Sequence, residues 1–115
     1  MLAVGEHLLG EIDDRTLRLC SGLGGGVGRS HQETCGALIA GVLLIGALHG
    51  RTESEEDDSQ CMALASCYRD RFLEAFGSTC CGSLRAGGYG SGGAKPCSVL
   101  VGNAVLILLE ILDEG

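Results

Sequence analysis

From Cys35 to Leu48 the chain carries no charge, and this run, CGALIAGVLLIGAL, constrains the fold more than any other feature. A membrane-spanning helix needs about 20 apolar residues, and the run stops short of that, ahead of Arg51 and the acidic stretch Glu53 to Asp58. It is therefore read as a central core helix. Its small residues Gly36, Ala37, Ala40, Gly41, Gly46 and Ala47 would let neighbouring helices approach closely. That packing accounts for glycines that otherwise cost about 1 kcal/mol each inside a helix.

The rest of the pattern is helical too. Residues 2–9 read as a short helix, and a second begins with Asp13 or Asp14 as its cap, burying Leu17, Leu19 and Cys20 before Gly22 stops it. The core helix is expected to start near Ser30 or His31 and to end at His49, with Gly50 in the terminating position. A further helix runs from about Asp58 to Phe76, with Met62, Leu64, Ala65, Phe72, Leu73 and Phe76 on its apolar face and Gly77 ending it. Ser78 to Leu84 form a short turn of helix holding Cys80 and Cys81, followed by a glycine-rich loop from Arg85 to Lys95. Pro96 opens a last helix, Cys97 to Leu112, that is apolar on nearly every side.

No alternating strand pattern and no internal repeat is present. The expectation is an all-α, single-domain bundle of about four to five helices with a glycine-rich interhelical loop. A last helix so apolar must be covered on more than one side, which in a chain of 115 residues points to a homodimer through it.

A net charge of -7 with only eight Lys and Arg argues against nucleic acid, which needs clustered cations. The start, MLAVGEH, lacks the basic and long apolar regions of a secretory signal, so a cytoplasmic protein is expected. Seven cysteines, at 20, 35, 61, 67, 80, 81 and 97, are an odd number for a disulfide scaffold and give weight to redox, catalytic or metal roles.

Ahead of the core helix, GLGGGVG puts five glycines in seven residues. Val27 stands where the dinucleotide-binding fingerprint needs glycine, no Gly-Lys-Ser/Thr follows, and a helix precedes the run where both phosphate motifs need a strand. Gly24, Gly25, Gly26 and Gly28 are the candidate cofactor contacts if a phosphate binds here, but the run reads first as a tight helix-to-helix turn. It presents Arg29, His31 and a helix N-terminus around Cys35, where free N–H groups, positive potential and a nearby cation favour a thiolate. His31, four residues before Cys35 on the same helix face, would pair with the sulfur or share a metal with it. The alternative for Cys35 is a small buried apolar residue at a tight helix crossing.

Cys80 and Cys81 are adjacent, a pair that closes a strained vicinal disulfide or supplies two thiolates to a soft metal. C-x-x-C never occurs, which removes the thioredoxin, haem-attachment and zinc-ribbon motifs in their local forms. Any cluster must be assembled in space by the fold.

The stretches LCSGLGGGVGR (19–29), ETCGA (33–37), GALHGR (46–51), FGSTC (76–80) and KPC (95–97) together resemble a family of small helical proteins described as redox-active and named for the pattern C_GCAxxG_C_C. Position by position, the resemblance makes Cys35 the motif cysteine, Cys80 the one after Phe-Gly-Ser with Cys81 an extra neighbour, and Cys97 the one opening the final helix. Ala40 stands where the family pattern places glycine, with Gly41 one later, and the chain starts too late for the family's first cysteine. Cys20, which abuts the glycine run, is the natural substitute.

Three readings follow. In the first, a thiol-redox protein uses Cys35 as its low-pKa thiolate, stabilised by Arg29, with Cys80 or Cys97 as the resolving partner and an unidentified redox partner. In the second, Cys35, Cys80 and Cys97, with Cys20 or His31, hold a metal ion or iron–sulfur cluster. In the third, the protein is a structural oligomerising module with buried thiols.

Overall fold

Three long helices bury their apolar faces against one another and make the core. The computed structural model describes residues 2–89 and 97–114, in the order α1 (Leu2–Leu9), α2 (Asp14–Cys20), a 3-10 turn (Ser21–Leu23), α3 (Gly36–His49), α4 (Ser59–Phe76), α5 (Cys81–Ala86) and α6 (Cys97–Glu114). No strand occurs among the described residues, and the architecture is all-α. An isolated antiparallel bridge joins Thr34 and Cys80.

α3, α4 and α6 pack pairwise. α3 contributes Ala37, Leu38, Gly41, Leu44 and Ile45, and α4 contributes Leu64, Tyr68 and Phe72. α6 contributes Leu100, Ala104, Leu108 and Ile111. The spacings of three and four residues keep each set on one helix face. Burying a side chain such as Ile45, Phe72 or Leu108 completely stabilises by about 1.5–3 kcal/mol relative to exposure.

Tyr68 is fully buried, although the sequence pattern had not placed it in the apolar face. Its ring lies over Gly41, where a Cβ would stand 2.3 Å from a ring carbon, and its hydroxyl donates to the Ala37 carbonyl at 3.0 Å. A satisfied hydroxyl removes the cost of burying a tyrosine. Tyr68, Phe72, Phe76 and Tyr89 continue as an edge-to-face series with centroid separations of 6.2, 4.6 and 6.1 Å. Those four are all the aromatic residues of the chain.

Asp13 caps α2 by accepting the Thr16 N–H at 2.8 Å, and Gly77 ends α4 at φ 81°. The expected burial along α2 does not occur: no residue of the helix is buried, Leu17 is 41% exposed and Leu19 74%. Mixed charge around the leucines of so short a helix leaves it lying on the surface of the bundle. Met62 is likewise exposed, on the outer side of α4.

The start of α3 also differs from expectation. The helix begins at Gly36, with Cys35 as its N-cap, because the backbone through 25–31 is wound the wrong way to continue into a right-handed helix. On α6, Val99 and Leu106 remain exposed although the opposite face is covered by α3 and α4. Pro96, expected to open that helix, lies outside the described residues. Among the described residues no helix is long and apolar enough to cross a membrane.

Candidate functional site

The glycine run forms a left-handed turn. Gly25, Gly26, Val27, Gly28 and Arg29 have φ of 60°, 64°, 63°, 59° and 60°, and His31 follows at 59°. The turn is closed by N–H groups of Gly28, Arg29 and His31 donating to the carbonyls of Gly22, Gly24 and Gly25 at 2.7, 3.0 and 3.0 Å. Left-handed geometry costs residues with a Cβ about 1–2 kcal/mol each. Val27, Arg29 and His31 tolerate it because the glycines between them do most of the winding and the surrounding contacts hold the path.

Those contacts are to α5. A Cβ on Gly26 would lie 2.4 Å from the Cβ of Cys81, and one on Gly82 would lie 2.5 Å from the His31 carbonyl oxygen. The turn and the first residues of α5 therefore interlock through two positions that admit no side chain.

From there the chain pairs briefly with the segment before α5. Cys35 N–H donates to Thr79 O at 2.7 Å and Cys81 N–H donates to Glu33 O at 2.8 Å, flanking the Thr34–Cys80 bridge. Side chains alternate along extended backbone, so Thr34 and Cys80 leave one side of the bridge while Cys35 and Cys81 leave the other. Cys35 and Cys81 accordingly line one cavity of about 220 Å³ with Gly26, Leu84, Arg85 and Tyr89, and Cys80 does not. Cys35 also lies near Tyr68: burial, and then the charge of the Cys35 sulfur, push the Tyr68 phenol above the ordinary tyrosine range.

Cys80 sits on the outer side. As a thiol it donates to the Gln32 carbonyl at 3.6 Å. The Ser83 N–H, then the Gly82 N–H, with a smaller contribution from the Ser83 hydroxyl, hold its thiol below the usual range against some desolvation and the Glu33 charge. Hydrogen bonds to the charged form favour it. The described cysteines 20, 35, 61, 67, 80 and 81 are all thiols rather than disulfides.

Of the residues singled out in the sequence, the fold brings Cys35 and Cys80 to the same bridge, and it adds Cys81, an extra neighbour in the family resemblance. Arg29 is exposed, and the cation lining the cavity is Arg85. His31 is not on a helix with Cys35; it contributes its carbonyl against Gly82. Cys20 is exposed and lies along the next cavity rather than this one. Gly25 and Gly26 line the thiol cavity and Gly24 the neighbouring one, whereas Gly28 lines neither. The side chain of Cys97 lies outside the described residues. Among those described, no three His, Cys, Asp or Glu side chains converge as metal ligands would.

A small all-α protein with thiols gathered at two helix starts behind a glycine-rich turn is, as a class, a cysteine-rich helical bundle. The chain belongs to the C_GCAxxG_C_C family, described as "Putative redox-active protein", whose model matches residues 1–111. No curated protein and no solved structure matches it.

Proposed function

We propose that the protein carries oxidising equivalents through thiol–disulfide exchange, with Cys80 as the thiol that reacts first and Cys35 and Cys81 as the pair that closes a disulfide. The observation that carries the reading is the Thr34–Cys80 bridge, which draws together three cysteines from two distant segments and faces two of them into one cavity. Diagonal positions across such a bridge are about 7–8 Å apart at Cα, and a disulfide needs about 4.4–6.8 Å. Closure therefore asks for a shift of about 1 Å. The family's redox description supports the same reading.

In the balanced exchange, the Cys80 thiolate attacks an acceptor disulfide and releases one thiol. The retained half passes to adjacent Cys81, and Cys35 then attacks the Cys81 sulfur and expels it as the second thiol. Cys35 and Cys81 thus lose two protons and two electrons while one acceptor disulfide becomes two thiols. Cys35, given the first attack in the sequence reading, here becomes the resolving thiol because Cys80 is the one whose thiolate the backbone stabilises.

Reduced protein treated anaerobically with a small-molecule disulfide and mapped by non-reducing mass spectrometry is expected to give a Cys35–Cys81 crosslink. Cys80→Ser should slow the reaction about tenfold or more, and Cys35→Ser should trap the mixed disulfide. Since the Cys80 pKa is lowered, its rate is expected to hold as the pH falls below the ordinary thiol range, and to drop only as the pH passes through that lowered value. Oxidation spread over Cys20, Cys61 and Cys67, or unchanged rates in folded variants, would overturn the proposal.

A further inference from the structure

The thiol cavity is one end of a longer trench. Beside it along α3 lie a cavity of about 260 Å³ and, beyond that, one of about 190 Å³. The first and second share Gly36, Ala37 and Val101 as lining, and the second and third share Cys20, Ala40 and Leu43. The three are therefore contiguous. Their common wall is one face of α3 from Gly36 to Ala47, a rise of about 16 Å, closed on the other side by the exposed helix α2 and the 3-10 turn.

Two properties of this trench select a ligand. Its walls are apolar almost throughout, with Leu9, Ile12, Leu17, Leu43 and Leu44 at the end away from the thiols. Arg85, at the thiol end, is the one charged residue among the described residues lining the three cavities. No ion pair or side-chain hydrogen bond among the described residues engages Arg85. In a chain of net charge -7, a half-buried cation that no described side chain pairs with, at the head of an apolar channel, suits an anion with a long apolar tail.

We infer that the trench binds an unbranched aliphatic monocarboxylate of about 12–16 carbons, a length set by the helix rise along its wall. The carboxylate pairs with Arg85, and the tail runs over Ala37 and Ala40, past Cys20, to the leucines beside α1. Neither the site nor its occupant depends on the redox reading. When filled, the trench covers Cys20 and the mouth of the Cys35–Cys81 cavity.

The reduced full-length chain, titrated with octanoate, laurate and palmitate below their micellar concentrations, is expected to bind about two- to fourfold more tightly per added methylene until the trench is filled. At laurate ten times its Kd, maleimide labelling of Cys20 should slow about tenfold, with the exposed Cys67 on α4 unaffected. Arg85→Gln should erase the preference for laurate over dodecanol. Leu43→Glu, at a position 46% exposed and so tolerant of the change, should abolish binding of both. Affinity independent of chain length, unshielded Cys20, or wild-type binding in both variants would overturn the inference. So would Cys20 protection that rises with protein concentration in the absence of ligand, since a second copy would then be the occupant.

Discussion

Gly26→Ala is expected to destabilise the protein by about 3–5 kcal/mol, and Gly28→Ala, two residues away, by only about 1–2 kcal/mol. Both glycines have φ near +60°, so both substitutions carry the same left-handed penalty. They differ in what the new methyl meets: nothing within 4 Å at Gly28, and the Cys81 Cβ at 2.4 Å and the Glu33 carbonyl at 3.1 Å at Gly26. Neither neighbour yields easily, because Cys81 N–H is bonded to that same Glu33 carbonyl. Urea midpoints at unchanged m-value measure the difference. Equal losses at the two positions would mean that the left-handed path alone, and not the seat of Cys81, explains the glycine. Gly26→Ala should also change the alkylation rate of Cys81, which Gly28→Ala should leave alone.

That comparison bears on how much of the site could be read from the residues. The bounds of α4 and α6 fall within two residues of those expected from their apolar spacing, and Gly77 stops α4. The start of α3 was misplaced by about a turn and a half. A glycine run indicates backbone freedom but not its hand, and nothing local indicates that Val27, Arg29 and His31 are carried into left-handed geometry with the glycines. That winding is imposed by contacts with α5, about fifty residues away in sequence, which no local rule reports.

The different settings of the neighbouring thiols are hidden in the sequence for the same reason. In sequence Cys81 is merely the neighbour of Cys80, and nothing local indicates which way either side chain turns. The bridge to Thr34 turns them to opposite sides, Cys81 to the Cys35 cavity and Cys80 to the Gln32 carbonyl. The signal that could have found Cys81 is the pairing of two glycine-flanked segments, since Gly82 and Gly26 are the positions where each segment must admit the other. Burial along α2 was expected from its leucines, but a seven-residue helix with Asp14, Arg15 and Arg18 interleaved has no continuous apolar face to bury.

Two glycines within α3 are expected to respond to alanine with opposite signs. At Gly46 an added methyl meets nothing within 4 Å, and the helix gains about 0.5–1 kcal/mol from losing a glycine. At Gly41 the same intrinsic gain is outweighed. The methyl would stand 2.3, 2.5 and 2.7 Å from three atoms of Tyr68, a side chain with no exposed surface. Displacing the ring costs about 1–3 kcal/mol of overpacking and about 1 kcal/mol for the hydrogen bond to the Ala37 carbonyl. It also disturbs the contact between Tyr68 and Phe72. A net loss of about 2–3 kcal/mol is expected for Gly41→Ala, read again from urea midpoints. If the ring is the cause, the loss should shrink or reverse when Gly41→Ala is made in a Tyr68→Leu background, a coupling that a double-mutant cycle isolates. Additive losses would place the cost in α3 itself, and the close approach of α4 to α3 would then need another explanation than the missing side chain at Gly41.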